Sequence, residues 1–212
     1  RIKLTTVCIC LDDSSRTKFR PRDVTFHAKS ADDAMHVLFT SGSTGMPKVI
    51  RASHTAVMTH LLHVVRHHQL QATDVALQHT SLSWVAAAPE IWTPLLASAQ
   101  LAVAPMAQKG GARDLETLAS FAKRSTLQQY VPSALQAMLL ADLHPLGCCR
   151  HLVLTGEPLP MELCHRVLQS SNCLNSLRNH YGQTEAADTT TVFKVAPGLH
   201  ATSVPLGRPA TQ

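Results

Sequence analysis

Aromatic residues make up only 4% of this 212-residue chain, so platforms for stacking unpaired bases are scarce. Lys and Arg outnumber Asp and Glu by 19 to 14, yet they are scattered and form no long basic run. The excess is diffuse, and no nucleic-acid partner is expected. No uninterrupted apolar run is long enough to span a bilayer, so no membrane partner is expected either. Six cysteines are present (Cys8, Cys10, Cys148, Cys149, Cys164 and Cys173), without metal-ligand or disulfide-framework spacing. With no Asn-x-Ser/Thr acceptor, this predicts a reducing, cytoplasmic setting. The chain lacks a Gly-x-Ser-x-Gly elbow, which leaves a serine hydrolase unsupported. It also lacks an initiator Met and a secretory leader, so both ends are expected to be cut from something longer.

What remains is an apolar content of 45% against 16% charged, the balance of a globular core. One domain, or two closely packed subdomains, fits the length. Residues 1–33 read as an irregular leader, with Asp12-Asp13-Ser14-Ser15 and Arg20-Pro21-Arg22 as loop material. From Ala34 onward short apolar runs alternate with helical patterns. Strands are predicted at 35–39, 49–51, 75–77, 101–103, 128–131, 151–154, 174–177 and 189–193. Helices are predicted from Ser53 to about His68, near Glu90 to Ala97, over 114–122, from Pro132 to Leu140 and from Pro160 to about Gln169. Val57, Leu61, Leu62 and Val65 are the expected apolar face of the first helix. The alternation predicts an α/β fold, mostly parallel with helices on both faces. Ligands in such sheets sit beyond the carboxyl ends of strands, where the loops at 40–48 and 179–186 are expected.

The loop Thr40-Ser41-Gly42-Ser43-Thr44-Gly45-Met46-Pro47-Lys48 is an anion cradle in composition. Its glycines free backbone N–H groups to face a phosphate, its hydroxyls add donors, and Lys48 adds charge. It is not a Walker A loop, because Pro47 separates Gly45 from Lys48 and a strand follows rather than a helix. The string resembles the phosphate loop of the adenylate-forming (AMP-binding) superfamily, most of all adenylation domains of nonribosomal peptide synthetases. Val49 stands where that loop usually closes with glycine.

A second stretch, Asn179-His180-Tyr181-Gly182-Gln183-Thr184-Glu185, is similar to that family's Asn-x-Tyr-Gly-Pro-Thr-Glu, with Gln183 in place of proline. The resemblance implies that Tyr181 stacks on adenine, with Asn179 at its edge and Gly182 beside it. It implies that Thr184 donates to the α-phosphate and that Glu185 holds Mg²⁺, as a hard oxygen ligand should. Leu152-Val-Leu-Thr-Gly-Glu157 and Val204-Pro-Leu-Gly-Arg-Pro209 extend the match over residues 34–212. The fold so implied is part of the large N-terminal subdomain of an adenylate-forming enzyme, with its C-terminal subdomain absent. The implied reaction activates a carboxylic or amino acid with ATP, releasing pyrophosphate. Its acyl-adenylate then passes to the phosphopantetheine of a carrier protein or to coenzyme A. An acyl-CoA ligase fragment and a non-catalytic nucleotide-binding remnant are the alternatives.

By the same resemblance Val85, Pro89, Gln129, Val153, Thr155, His180 and Asp188 line the acid pocket. Val85 stands where peptide-synthetase domains carry the aspartate that grips an α-ammonium, which disfavours an ordinary α-amino acid. Asp188 is placed to meet an amine located elsewhere in the substrate. Outside this pattern, His60, His63 and His67 share one helix face; without acid or Cys partners, packing is the simpler expectation than metal. Cys148-Cys149 reads as a turn entering a strand.

Overall fold

The computed structural model describes residues 30–41, 45–105, 115–199 and 201–210. Among them a two-stranded antiparallel hairpin, β1 (Ala34–Thr40) and β2 (Lys48–Ser53), stands apart from a seven-stranded sheet. The sheet contains β3 (Val75–Gln78), β4 (Gln100–Val103), β5 (Leu127–Tyr130), β6 (His151–Thr155), β7 (Ser176–Gln183), β8 (Asp188–Val195) and β9 (Arg208–Pro209). Its order is β4-β3-β5-β6-β7-β8-β9. Pairing is parallel from β4 through to β7 and antiparallel from β7 to β9. The loop of residues 40–48 therefore closes a separate hairpin instead of leaving the parallel sheet.

Five helices cover the large sheet: α1 (His54–His68), α2 (Ala87–Leu96), α3 (Leu115–Ala122), α4 (Pro132–Leu140) and α5 (Met161–Ser170). On one face Leu135, Met138, Leu163 and Val167 pack on Tyr130, Leu152, Leu154 and Leu177. On the other, His60 and Val64 of α1 and Pro89 and Thr93 of α2 meet Gln129, Val153 and His180. Four of the five residues of β6 are buried, which is why it reads as an unbroken apolar run. Ser53 caps α1 by accepting the Ala56 N–H at 3.2 Å, and Pro132 opens α4. No helix of the described residues is long and apolar enough to cross a membrane. Cys149 and Cys164 are buried, Cys148 and Cys173 exposed, and all four are free thiols; Cys8 and Cys10 lie outside the described residues.

Four sequence expectations need correction. The strand predicted at 174–177 begins at Ser176, and the loop predicted at 179–186 is largely strand: β7 runs through Gln183 before a 3₁₀ turn at Thr184–Ala186. Antiparallel pairing with β8 from Leu177 to Gln183 overrides the weak strand propensity of Asn, Gly and Gln there. The buried stripe of α1 is Val57, His60, Leu61, Val64 and His68, while Leu62 is exposed and Val65 half-buried. The helix predicted near Glu90 begins at Ala87.

The amino edge of the parallel strands is braced by Asp74, which is 1% exposed. Its Oδ1 accepts from the Thr126 hydroxyl and from Arg150, each at 2.7 Å, and its Oδ2 accepts the Gln71 N–H at 2.9 Å. Its carbonyl accepts the Gln100 N–H at 2.9 Å. One residue thus ties the starts of β3, β4, β5 and β6.

Between α1 and the sheet lies a layer of histidines. The His68 ring stands 5.2 Å from His151 and 6.2 Å from His180. Burial pushes His180 down to about 3 and His151 to about 4, and holds His68 well below its ordinary value. These rings are packed in their neutral form.

Asp74→Ala is expected to destabilise the fold by about 3 kcal/mol, because it strands Arg150 and the Thr126 hydroxyl; the denaturant midpoint measures this, and Asp74→Asn should cost less. A second expectation follows from the histidine layer. Below the ordinary value of 6.5 the unfolded chain takes up protons that folded His151 and His180 refuse down to about 4 and about 3. Stability should therefore fall as pH drops from 6.5 towards 4, seen as a declining Tm, and the slope should flatten in His180→Phe.

Candidate functional site

Three clefts gather part of the residues singled out by sequence. The first, about 300 Å³, is walled by Gly156, Glu157 and Leu159, by Asn179 to Gly182, and by the 203–206 segment. Glu157 is held in place by capping α4: its carboxylate accepts the Ser133 N–H at 2.9 Å and hydroxyl at 2.8 Å. Asn179, buried, donates its amide to the Pro205 carbonyl at 2.9 Å, fixing the 203–206 segment against β7. Tyr181 is 50% exposed at the mouth, an aromatic face presented to the cleft.

The second cleft, about 450 Å³, lies between the hairpin and the 3₁₀ turn. Arg51 and Ser53 form one side, Thr184 and Glu185 the other. The Glu185 carboxylate is exposed and makes no ion pair among the described residues. That fits a Mg²⁺ ion, which keeps several waters and takes only one or two carboxylates. Thr40, Ser41 and Lys48 stand at the hairpin tip, outside the lining of this cleft. Gly45 beside them has φ +81°, a turn conformation that favours glycine. Gly42, Ser43 and Thr44 lie outside the described residues.

The turn after Thr184 is tightly specified. Ala187 and Asp188 both have positive φ, at 58° and 100°. A Cβ on Gly182 would stand 1.7 Å from the Asp188 carbonyl oxygen, so only glycine lets β7 and β8 close at the bulge between Tyr181 and Gly182. Strained backbone held by its surroundings is typical of functional turns.

The third cavity is small, about 20 Å³, and lies beneath α1 and α2. Pro89, Gln129, Val153 and His180, four of the residues grouped by the sequence reading, line it. Val85 and Thr155 do not; the Val85 carbonyl accepts the Ala88 N–H at the start of α2, and Thr155 ends β6. Asp188 reaches the pocket indirectly, its Oδ2 lying 3.4 Å from Nε2 of His60, which is a lining residue. His63 and His67 stack on each other at 4.0 Å instead of joining His60. Among the described residues no three His, Cys, Asp or Glu side chains are placed to hold a metal ion.

Glu90 is a buried acid to which sequence reasoning gave no role. It is 4% exposed, and its carboxylate accepts the backbone N–H of His79 at 3.0 Å and of Thr80 at 2.9 Å, plus the Thr80 hydroxyl at 2.6 Å. This pins α2 to the end of β3 and sets the pocket wall. Its signal was available: it is the one charged residue of the helix.

The family model for AMP-binding enzymes matches residues 3–212. Vanchrobactin synthetase VabF of Vibrio anguillarum is 34% identical over 189 residues, which is 84% of this chain and 6% of that protein. Enterobactin synthase component F of Escherichia coli K12 is 31% identical over 185 residues, covering 82% of this chain and 14% of that one. The chain therefore spans a small part of the curated relatives it matches. Among solved structures, the N-terminal subdomain of NpsA from Klebsiella oxytoca, in complex with anthranilyl-AMSN, superposes with a TM-score of 0.78 at 26% identity. That match covers 91% of this chain and 49% of the other. By the family match over residues 3–212 and the superposition on NpsA, the chain belongs to the AMP-binding enzyme family and carries the N-terminal subdomain fold of its adenylation domains.

Proposed function

We propose that this chain forms the nucleotide-binding and acid-binding core of an adenylation unit. Such a unit activates a carboxylic or amino acid with ATP, releases pyrophosphate and passes the acyl group to a carrier-protein thiol. The observation that carries this reading is the convergence of Gly156-Glu157, Asn179–Gly182 and residues 203–206 on one cleft, with Thr184 and Glu185 turning into the next. In this reading adenine stacks on Tyr181, with Asn179 and Gly182 at its edge. The hydroxyls and N–H groups of residues 40–45 and the Lys48 ammonium receive the phosphates, and Thr184 donates to the α-phosphate. Glu185 is the Mg²⁺ ligand, and the ion would neutralise phosphate charge there. Two anions must meet when a carboxylate attacks phosphorus, so these residues act by positioning and charge neutralisation. The carrier-protein acceptor is favoured over coenzyme A by the synthetases among the relatives and by NpsA, whose artificial fusion to ThdA is described as an adenylation-PCP di-domain.

The acid pocket would be walled by Pro89, Gln129, Val153 and His180, with Val85, Thr155 and Asp188 around it. Val85 offers no counter-charge to an α-ammonium, and the Asp188 carboxylate already faces His60. An acid without an α-amino group, or with its amine elsewhere, suits these walls better.

Carboxylate-dependent exchange of pyrophosphate into ATP tests the reading. The 212-residue chain alone is expected to bind ATP with little or no exchange, and the longer protein containing it to exchange. Lys48→Ala and Glu185→Ala should each weaken ATP binding by about tenfold or more, the value of one charge-assisted contact. ATP binding that survives both substitutions, with no exchange by the longer protein, would instead mark a non-catalytic nucleotide-binding module.

A further inference from the structure

On the α1 side of the sheet, a cleft of about 490 Å³ opens between α1, β8 and β9. Three permanent cations, Arg178, Lys194 and Arg208, line it together with His63 and His67, and no carboxylate does. Strand register accounts for the clustering. Arg178 of β7 is the direct partner of Lys194 of β8, and Arg208 of β9 is the partner of Val192, two residues from Lys194. Directly opposed residues of an antiparallel pair approach to about 5 Å at Cβ, and residues two apart share a face. Like charges so opposed weaken a sheet unless something of opposite sign lies between them.

Arg178 sharpens the point. It is only 8% exposed, and its guanidinium donates to the His67 carbonyl at 2.7 Å and meets His67 Nδ1 at 3.2 Å. Its Nε has no hydrogen-bond partner among the described residues. Among the described residues no carboxylate stands within ion-pair distance of it, whereas Arg150 has Asp74 at 2.7 Å. A buried guanidinium without a counter-ion is strongly unfavourable, so a fold that keeps one has a use for its charge. Burial, followed by the charges of the neighbouring histidines and Arg178, holds His63 at about 4, so it lines the cleft as a neutral ring.

We propose that this cleft is a second anion site, separate from the loop of residues 40–48, that takes a phosphate-type oxyanion on Arg178 with Lys194 and Arg208 completing the shell. The guanidinium fork matches two oxygens of one such group, and three cations call for more than a single negative charge. The inference does not depend on the adenylation reading, since none of the three cations belongs to the clefts assigned to ATP or the acid.

Inorganic phosphate titrated into the 212-residue chain, at ionic strength held constant with sodium chloride, tests it by Tm and by the ¹H–¹⁵N signal of Arg178 Nε. The expected result is a saturable rise in Tm with movement of that signal. Both should persist in Lys48→Ala and weaken at least tenfold in the Lys194→Ala/Arg208→Ala double variant, and the Tm rise should weaken as much in Arg178→Gln. The double variant changes only exposed side chains and keeps the test open if Arg178→Gln fails to fold. A rise explained by ionic strength alone, one retained in the double variant, or one lost in Lys48→Ala would overturn the proposal. So would sodium acetate acting as well as phosphate, which would make the cleft a seat for a single carboxylate.

Discussion

The carboxylate of Asp74 sits where four strands begin. It takes Arg150 and the Thr126 hydroxyl on one oxygen and the Gln71 N–H on the other, while its carbonyl holds the first residue of β4. A parallel sheet has no hairpins to set its register, so its strands depend on contacts of this kind. With the amino edge fixed, loops at the carboxyl edge are left to border the clefts. Gly156-Glu157 after β6 and Thr184-Glu185 after β7 are such loops.

Burial of polar groups follows two patterns in this protein. Glu90 keeps its carboxylate in the interior by collecting backbone N–H groups and a hydroxyl, and Asp74 does so with a guanidinium. The histidines under α1 take the other course and pack as uncharged rings beside Val57, Leu61 and Val64. Both patterns build the small cavity, for Glu90 fixes α2 on one side of it while His60 and His180 close the other.

Much of this was visible in the sequence, and what was hidden has common physical causes. The Gly-rich loop and the Asn179–Glu185 stretch declare themselves because their chemistry is local. Ser53 and Pro132 mark helix starts for the same reason. The extent of β7 was hidden because its strand character comes from β8, not from Asn179, Gly182 or Gln183 themselves. β9 spans two residues, one of them proline, and exists only through pairing with β8. The buried face of α1 was misplaced by taking Leu62 and Val65 as core, because pattern reading counts His as polar while His60 and His68 go inside. The His60–Asp188 contact, which joins α1 to β8, has no local trace at all.

β7 also carries a partition that follows from its pleat. Leu177, Asn179 and Tyr181 look to one side, where Asn179 holds the Pro205 carbonyl; Arg178 and His180 look to the other, where α1 lies. Neighbouring side chains thus face opposite sides of the sheet. His180 borders both the small cavity under α1 and the cleft of Asn179 and Tyr181, so a change of its side chain would be felt in each. An inserted or deleted residue would swap the two sets at a stroke, and the Gly182–Asp188 contact leaves no slack to absorb it. The strand is therefore open to substitution and closed to changes in length.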